Sequence, residues 1–143
     1  MLSLTETKRD APMDLSPVTK HRILLVDDEE AILLPIARYF RALGCSVELA
    51  QEPEEAIALL RHRTYDLVIT DMRLTKFGSA DGLDVLRDLR ERVQLANVIV
   101  MGAYISPEVE AEAIRLGATA VLRKPQNLPD LAQIVFGILG DNQ

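Results

Sequence analysis

Short apolar runs alternate along this chain with stretches in which apolar residues recur at helical spacing. Ile23-Leu24-Leu25-Val26 is unbroken and ends in Asp27-Asp28, the pattern of a strand buried on both faces. Ile32, Ile36, Phe40 and Leu43 then repeat along one helix face, with Gly44 placed as the C-cap. Pro35 falls inside that helix. It lacks an N–H and crowds the Ala31 carbonyl, so a kink or a ragged first turn is expected. A second strand is predicted over 45–50, a second helix from Pro53 to about His62, and a third strand over 65–71. Leu83, Leu86, Leu89 and Val93 mark a third helix, and 97–102 reads as a fourth strand. Ser106-Pro107-Glu108 opens a fourth helix with a serine N-cap, a proline in the first position and an acid in the first turn, and Gly117 ends it. Residues 120–124 form a short fifth strand, and Leu128, Leu131, Val135 and Ile138 stripe a last helix that stops at Gly140.

Five strand–helix pairs in strict alternation predict an α/β fold, a parallel sheet with helices on both faces. The core is expected to be one domain over 21–140. Residues 1–20, with Pro12, Pro17 and mutually cancelling charges, read as a flexible tail, and 141–143 as a short C-terminal one.

Composition narrows the function classes. Of 143 residues, 48% are apolar and 27% charged, which is ordinary for a globular domain that folds without staples. The net charge of −6 leaves no basic face for phosphate backbones, so direct nucleic-acid binding is not expected. The longest apolar runs, 31–37 and 98–105, fall far short of the ~20 residues that span a bilayer. The first residues lack the pattern of a signal peptide. With Cys45 alone no intramolecular disulfide forms. A cytoplasmic protein with no membrane partner is expected.

In an open parallel sheet, ligands sit beyond the carboxyl ends of the strands. Here those ends carry Asp27-Asp28, Asp71, Gly102-Ala103 and Lys124-Pro125. Strands one and three would bring three carboxylates to one edge, where a like-charged pair at ~4 Å repels by about 4 kcal/mol at an effective dielectric of 20. A cation relieves that, and oxygen ligands with spare coordination positions favour Mg²⁺. A carboxylate beside such an ion can attack phosphorus and form an acyl phosphate, with Lys124 as a point charge for the phosphoryl oxygens.

These residues make the sequence similar to the receiver domains of bacterial two-component response regulators. The matching stretches are Ile23-Leu24-Leu25-Val26-Asp27-Asp28-Glu29, Tyr65-Asp66-Leu67-Val68-Ile69-Thr70-Asp71, Asp81-Gly82-Leu83, and Gly117-Ala118 followed by Lys124-Pro125. The resemblance implies a flavodoxin-like fold with sheet order 2-1-3-4-5. It implies that Asp71 accepts a phosphoryl group from a histidine kinase or phosphotransfer protein. It further implies that Asp27, Asp28, Asp71 and the backbone carbonyl of Arg73 hold Mg²⁺, that Lys124 contacts the phosphoryl group, and that the Lys124–Pro125 bond is cis. Downstream proteins would meet helix four, strand five and helix five; whether a weak homodimer uses that face is left open.

Three departures from the family pattern stand out. Gly102 replaces the Ser or Thr whose hydroxyl binds the phosphoryl group. Val121 replaces the Tyr or Phe that swings inward on activation. Thr75 replaces a proline four residues after the acceptor, and 75–80 lengthens the following loop. A hydrogen bond to a charged group contributes about 1.5–3 kcal/mol, roughly a 10- to 150-fold bias on a two-state equilibrium. The expectation is phosphate chemistry without the usual hydroxyl–aromatic switch. Arg73 and Tyr104, which in such regulators flank the route of attacking water, are expected to shield the acyl phosphate.

The leading expectation is therefore a stand-alone receiver that signals by contact and is not an enzyme in its own right, with a receiver cut from a larger protein as a variant. A pseudo-receiver that binds partners without phosphorylation is the alternative. An aspartyl phosphohydrolase would need an acid where Arg73 stands, and a nucleotide site would need a Gly-rich loop where Asp28-Glu29-Glu30 stands. His21 and His62 read as solvated, and Cys45 as a small apolar packer.

Overall fold

The computed structural model describes residues 20–72, 81–91, 96–124 and 126–140. Five strands, β1 (Arg22–Val26), β2 (Ser46–Ala50), β3 (Leu67–Asp71), β4 (Asn97–Gly102) and β5 (Ala120–Arg123), alternate with five helices. The helices are α1 (Glu30–Ala42), α2 (Pro53–His62), α3 (Asp81–Glu91), α4 (Pro107–Arg115) and α5 (Leu128–Leu139). All strand pairs are parallel, in the order β2-β1-β3-β4-β5, the flavodoxin-like arrangement that the resemblance implied.

Side chains alternate between the faces of a strand, and the core divides accordingly. Ile23, Leu25, Leu67, Ile69, Ile99 and Met101 pack with Leu33, Ala37 and Phe40 of α1 and Leu131, Val135 and Phe136 of α5. Leu24, Val26, Val68, Val98 and Val100 pack on the other face with Ala56 and Leu60 of α2, Val85, Leu86 and Leu89 of α3, and Ala113 of α4. The strands are apolar on both sides because both sides are covered. Cys45 is buried in the first of these layers.

Two strands start later than the sequence reading has them. The Cys45 N–H donates to the Phe40 carbonyl at the end of α1, so β2 starts one residue later, at Ser46. Tyr65 precedes β3 and sends its hydroxyl to Glu48 of β2, in a short contact shared with Arg63. Burial and the bond to Glu48 raise the Tyr65 pKa above its usual range; the same bond, with Arg63, lowers that of Glu48. Pro35 does not make the first turn of α1 ragged. The Ile32 and Leu33 N–H groups both reach the Glu29 carbonyl, and the helix runs unbroken through Pro35, which lies on the exposed face. Solvent can serve the Ala31 carbonyl there. Ser106 caps α4 by accepting from the Val109 N–H at 3.2 Å, as predicted. Asn127 caps α5 by accepting from Asp130 N–H at 2.8 Å, a cap that the sequence reading passed over. Gly44, Gly117 and Gly140 all take positive φ after their helices, the left-handed conformation that glycine adopts without a Cβ penalty. No helix among the described residues is long and apolar enough to cross a membrane.

Candidate functional site

Register builds the site. Val26 of β1 lies beside Thr70 of β3, so one residue further on the two strands end with Asp27 next to Asp71. Both follow the odd-numbered face, and strand spacing of about 4.8 Å brings their carboxylates together. Asp28, one residue beyond, is exposed. Carboxylate oxygens of Asp27, Asp28 and Asp71 all lie within 4.8 Å of one another, forming an acidic cluster able to hold a metal ion.

Lys124 completes the cluster from just beyond β5. Its N–H donates to the Gly102 carbonyl at 2.9 Å, which fastens the end of β5 to that of β4. Its Nζ donates to Asp27 Oδ2 at 2.6 Å and lies 2.9 Å from Asp71 Oδ1. The sequence predicted one ammonium near three carboxylates; the structure adds that it bridges two of them. Asp27 Oδ1 accepts from the Glu29 N–H at 3.0 Å. Side-chain exposure is 12% for Lys124, 6% for Asp27 and 8% for Asp71, low enough for these contacts to escape most solvent screening.

Burial pushes the Asp71 carboxyl up to about 6 against the opposing hydrogen bond from Lys124, and the charges of Asp27 and Asp28 push it further the same way. Burial pulls the Lys124 ammonium down, but its bonds to Asp27 and Asp71 outweigh that and leave it above its usual value.

The cluster opens on a pocket of about 270 Å³ lined by Asp28, Glu29, Asp71, Met72, Gly102, Ala103, Tyr104 and Lys124. Tyr104 stands at its mouth, 75% exposed. Gly102 forms part of the wall, and a Cβ there would meet Ile105 Cγ1 at 3.0 Å and Met72 Cβ at 3.2 Å. Val121 is half-buried against the α2–α3–α4 side of the core. Arg73, Pro125 and the 75–80 loop lie outside the described residues. Sequence reasoning missed Ile105, because nothing about an isoleucine three residues after a strand marks it as a neighbour of Gly102.

A doubly wound sheet of this order, with an acidic cluster and a lysine at the carboxyl edge of its central strands, is the architecture of a signalling receiver. Residues 23–136 match the response regulator receiver domain family, to which this chain belongs. It is thus a receiver domain of two-component signalling. The chain is 36% identical over 125 residues to a gliding motility regulatory protein of Myxococcus xanthus, covering 85% of this chain but 16% of that one. A response regulator receiver domain protein (CheY-like) from Methanospirillum hungatei JF-1 has a TM-score of 0.78 at 28% identity, over 85% of this chain and 95% of that one. A response regulator from Burkholderia pseudomallei, solved with a phosphorylated aspartic acid, a calcium ion and citrate, has a TM-score of 0.71 at 26% identity, over 79% and 65%.

Proposed function

We propose that Asp71 accepts a phosphoryl group from a histidine kinase or phosphotransfer protein, in a reaction that needs Mg²⁺, and that the domain, residues 21–140, then signals by protein contact. The observation that carries this is the convergence of three carboxylates within 4.8 Å with an ammonium 2.9 Å from Asp71 Oδ1. The donor set fits a hard dication: all oxygen, with one member exposed and a pocket beside it for water and phosphate. Asp27, Asp28, Asp71 and the Arg73 carbonyl would hold the ion, which when bound supplies charge neutralisation to the transferring group. The Burkholderia pseudomallei relative, with its phosphorylated aspartic acid and calcium ion, supports the same assignment.

Asp71 Oδ2, the oxygen that does not face Lys124, attacks the phosphorus of the donor phosphohistidine. The P–N bond breaks, its electron pair stays on the imidazole nitrogen, and Asp71 becomes an acyl phosphate. Lys124 then pairs with a phosphoryl oxygen while it continues to hold Asp27. The domain assists this transfer, and the slow hydrolysis in which water takes the phosphoryl group as inorganic phosphate and restores the Asp71 carboxylate, without being a true enzyme. Tyr104 and Arg73 shield the acyl phosphate. The α4–β5–α5 face meets the downstream protein, and the switch is atypical because position 102 offers no hydroxyl and position 121 no aromatic ring.

Acetyl phosphate with Mg²⁺ should add one phosphoryl group to the intact protein by mass spectrometry and none to Asp71→Asn. No addition to the wild type would overturn the acceptor assignment and favour a protein-binding module that works without phosphorylation.

A further inference from the structure

We infer that Ile105 locks the loop between β4 and α4 onto Gly102, so that phosphorylation of Asp71 leaves this loop and α4 in place; the inference rests on the acceptor assignment above. Gly102 ends β4 and lines the pocket into which a group on Asp71 would project. A side chain at position 102 would be crowded: Ile105 Cγ1 and Cδ1 lie 3.0 and 3.3 Å from an ideal Cβ, and Met72 Cβ lies 3.2 Å from it, so these neighbours would have to give by a few tenths of an ångström. Ile105 itself is 4% exposed and Met72 5%. The loop therefore turns back over its own strand and buries an isoleucine where a polar side chain would otherwise reach the pocket.

The rest of α4 is fastened as well. Its first turn is capped by Ser106. At its other end Arg90 of α3 donates to the Leu116 carbonyl at 3.2 Å and to the Gly117 carbonyl at 2.8 Å. Val121 of β5 packs against the apolar core on this side of the sheet. Moving the loop toward a phosphoryl oxygen would pull Ile105 out of its buried place beside Gly102, and no side chain at position 102 compensates. Gly102→Thr by itself would not install a hydroxyl switch, because the new Cβ meets Ile105 first. Gly102 and Ile105 are a matched pair, and shortening the isoleucine is what makes room.

The test has two arms. In thermal unfolding, Gly102→Thr should lower the midpoint by roughly 3–10 °C, the range for overpacking in a domain of this size. Adding Ile105→Ala should cost less in that background than in the wild type. Additive costs, or an unchanged midpoint for Gly102→Thr, would overturn the lock. In the second arm, beryllofluoride with Mg²⁺ is bound to the wild type and to the Gly102→Thr, Ile105→Ala double variant. Fluorine NMR reports binding, and amide hydrogen exchange reports residues 102–116. The wild type should bind it with exchange unchanged there, whereas in the double variant exchange should change by at least about tenfold, the leverage of one charge-assisted hydrogen bond. Binding with altered exchange in the wild type, or binding without a gain in the double variant, overturns the lock alone. Absence of binding to the wild type overturns the acceptor assignment and the lock with it.

Discussion

Asp71 carries an electrostatic cost at the level of a single residue. Its carboxyl is pushed from 3.8 up to about 6, so between those values the folded chain binds a proton that the unfolded chain does not. Stability from this group therefore falls as pH rises through that window, and the metal-free fold bears the whole penalty at pH 7. At roughly 1.4 kcal/mol per pKa unit the penalty is about 3 kcal/mol at most. In chelator at pH 7, Asp71→Asn should unfold at a higher temperature than the wild type, with the gap closing near pH 4; an equal or lower midpoint at pH 7 would contradict the assignment. Lys124→Met should do the opposite. It leaves Asp27 and Asp71 facing each other without their shared cation, at a cost of about 3–5 kcal/mol, partly recovered at pH 5 as Asp71 takes up its proton. Urea unfolding at the two pH values measures both the loss and the recovery.

At the scale of the elements, α1 and α4 respond to their sequence signals differently. Ser106-Pro107 at the head of α4 was readable because capping is local chemistry, confined to four residues. The ragged first turn expected from Pro35 does not form, because its effect depends on the face it occupies: Pro35 lies on the exposed side of α1, where solvent can serve the Ala31 carbonyl, and the helix continues. Pro35→Ala should restore the hydrogen bond to that carbonyl and stabilise the domain by about 1–3 kcal/mol, within the propensity difference between the two residues. An unchanged or lowered thermal midpoint would mean that Pro35 packs against something of its own. The start of β2 is displaced by one residue because the Cys45 N–H is used by the end of α1, a partner that a propensity pattern does not contain.

For the whole molecule, the acidic edge predicts a linked equilibrium between folding and metal. Mg²⁺ at a hundred times its dissociation constant should stabilise the fold by about 2.7 kcal/mol. A rise of the thermal midpoint with Mg²⁺, abolished by chelator and lost in Asp28→Ala, is the expected result; a wild-type midpoint indifferent to Mg²⁺ would remove the ion from the proposal. The alternation of elements and the polar residues that close each strand were legible from residue order alone, because periodicity, capping and chain reversal are properties of neighbours. So was the acidic edge, since a parallel sheet sends all its strand ends to one side. Packing in three dimensions is what makes Lys124 reach back 97 positions to grip Asp27 while touching Asp71, and what brings Ile105 beside Gly102. Those contacts arise from strand register and loop path, which depend on how two packed layers fit together.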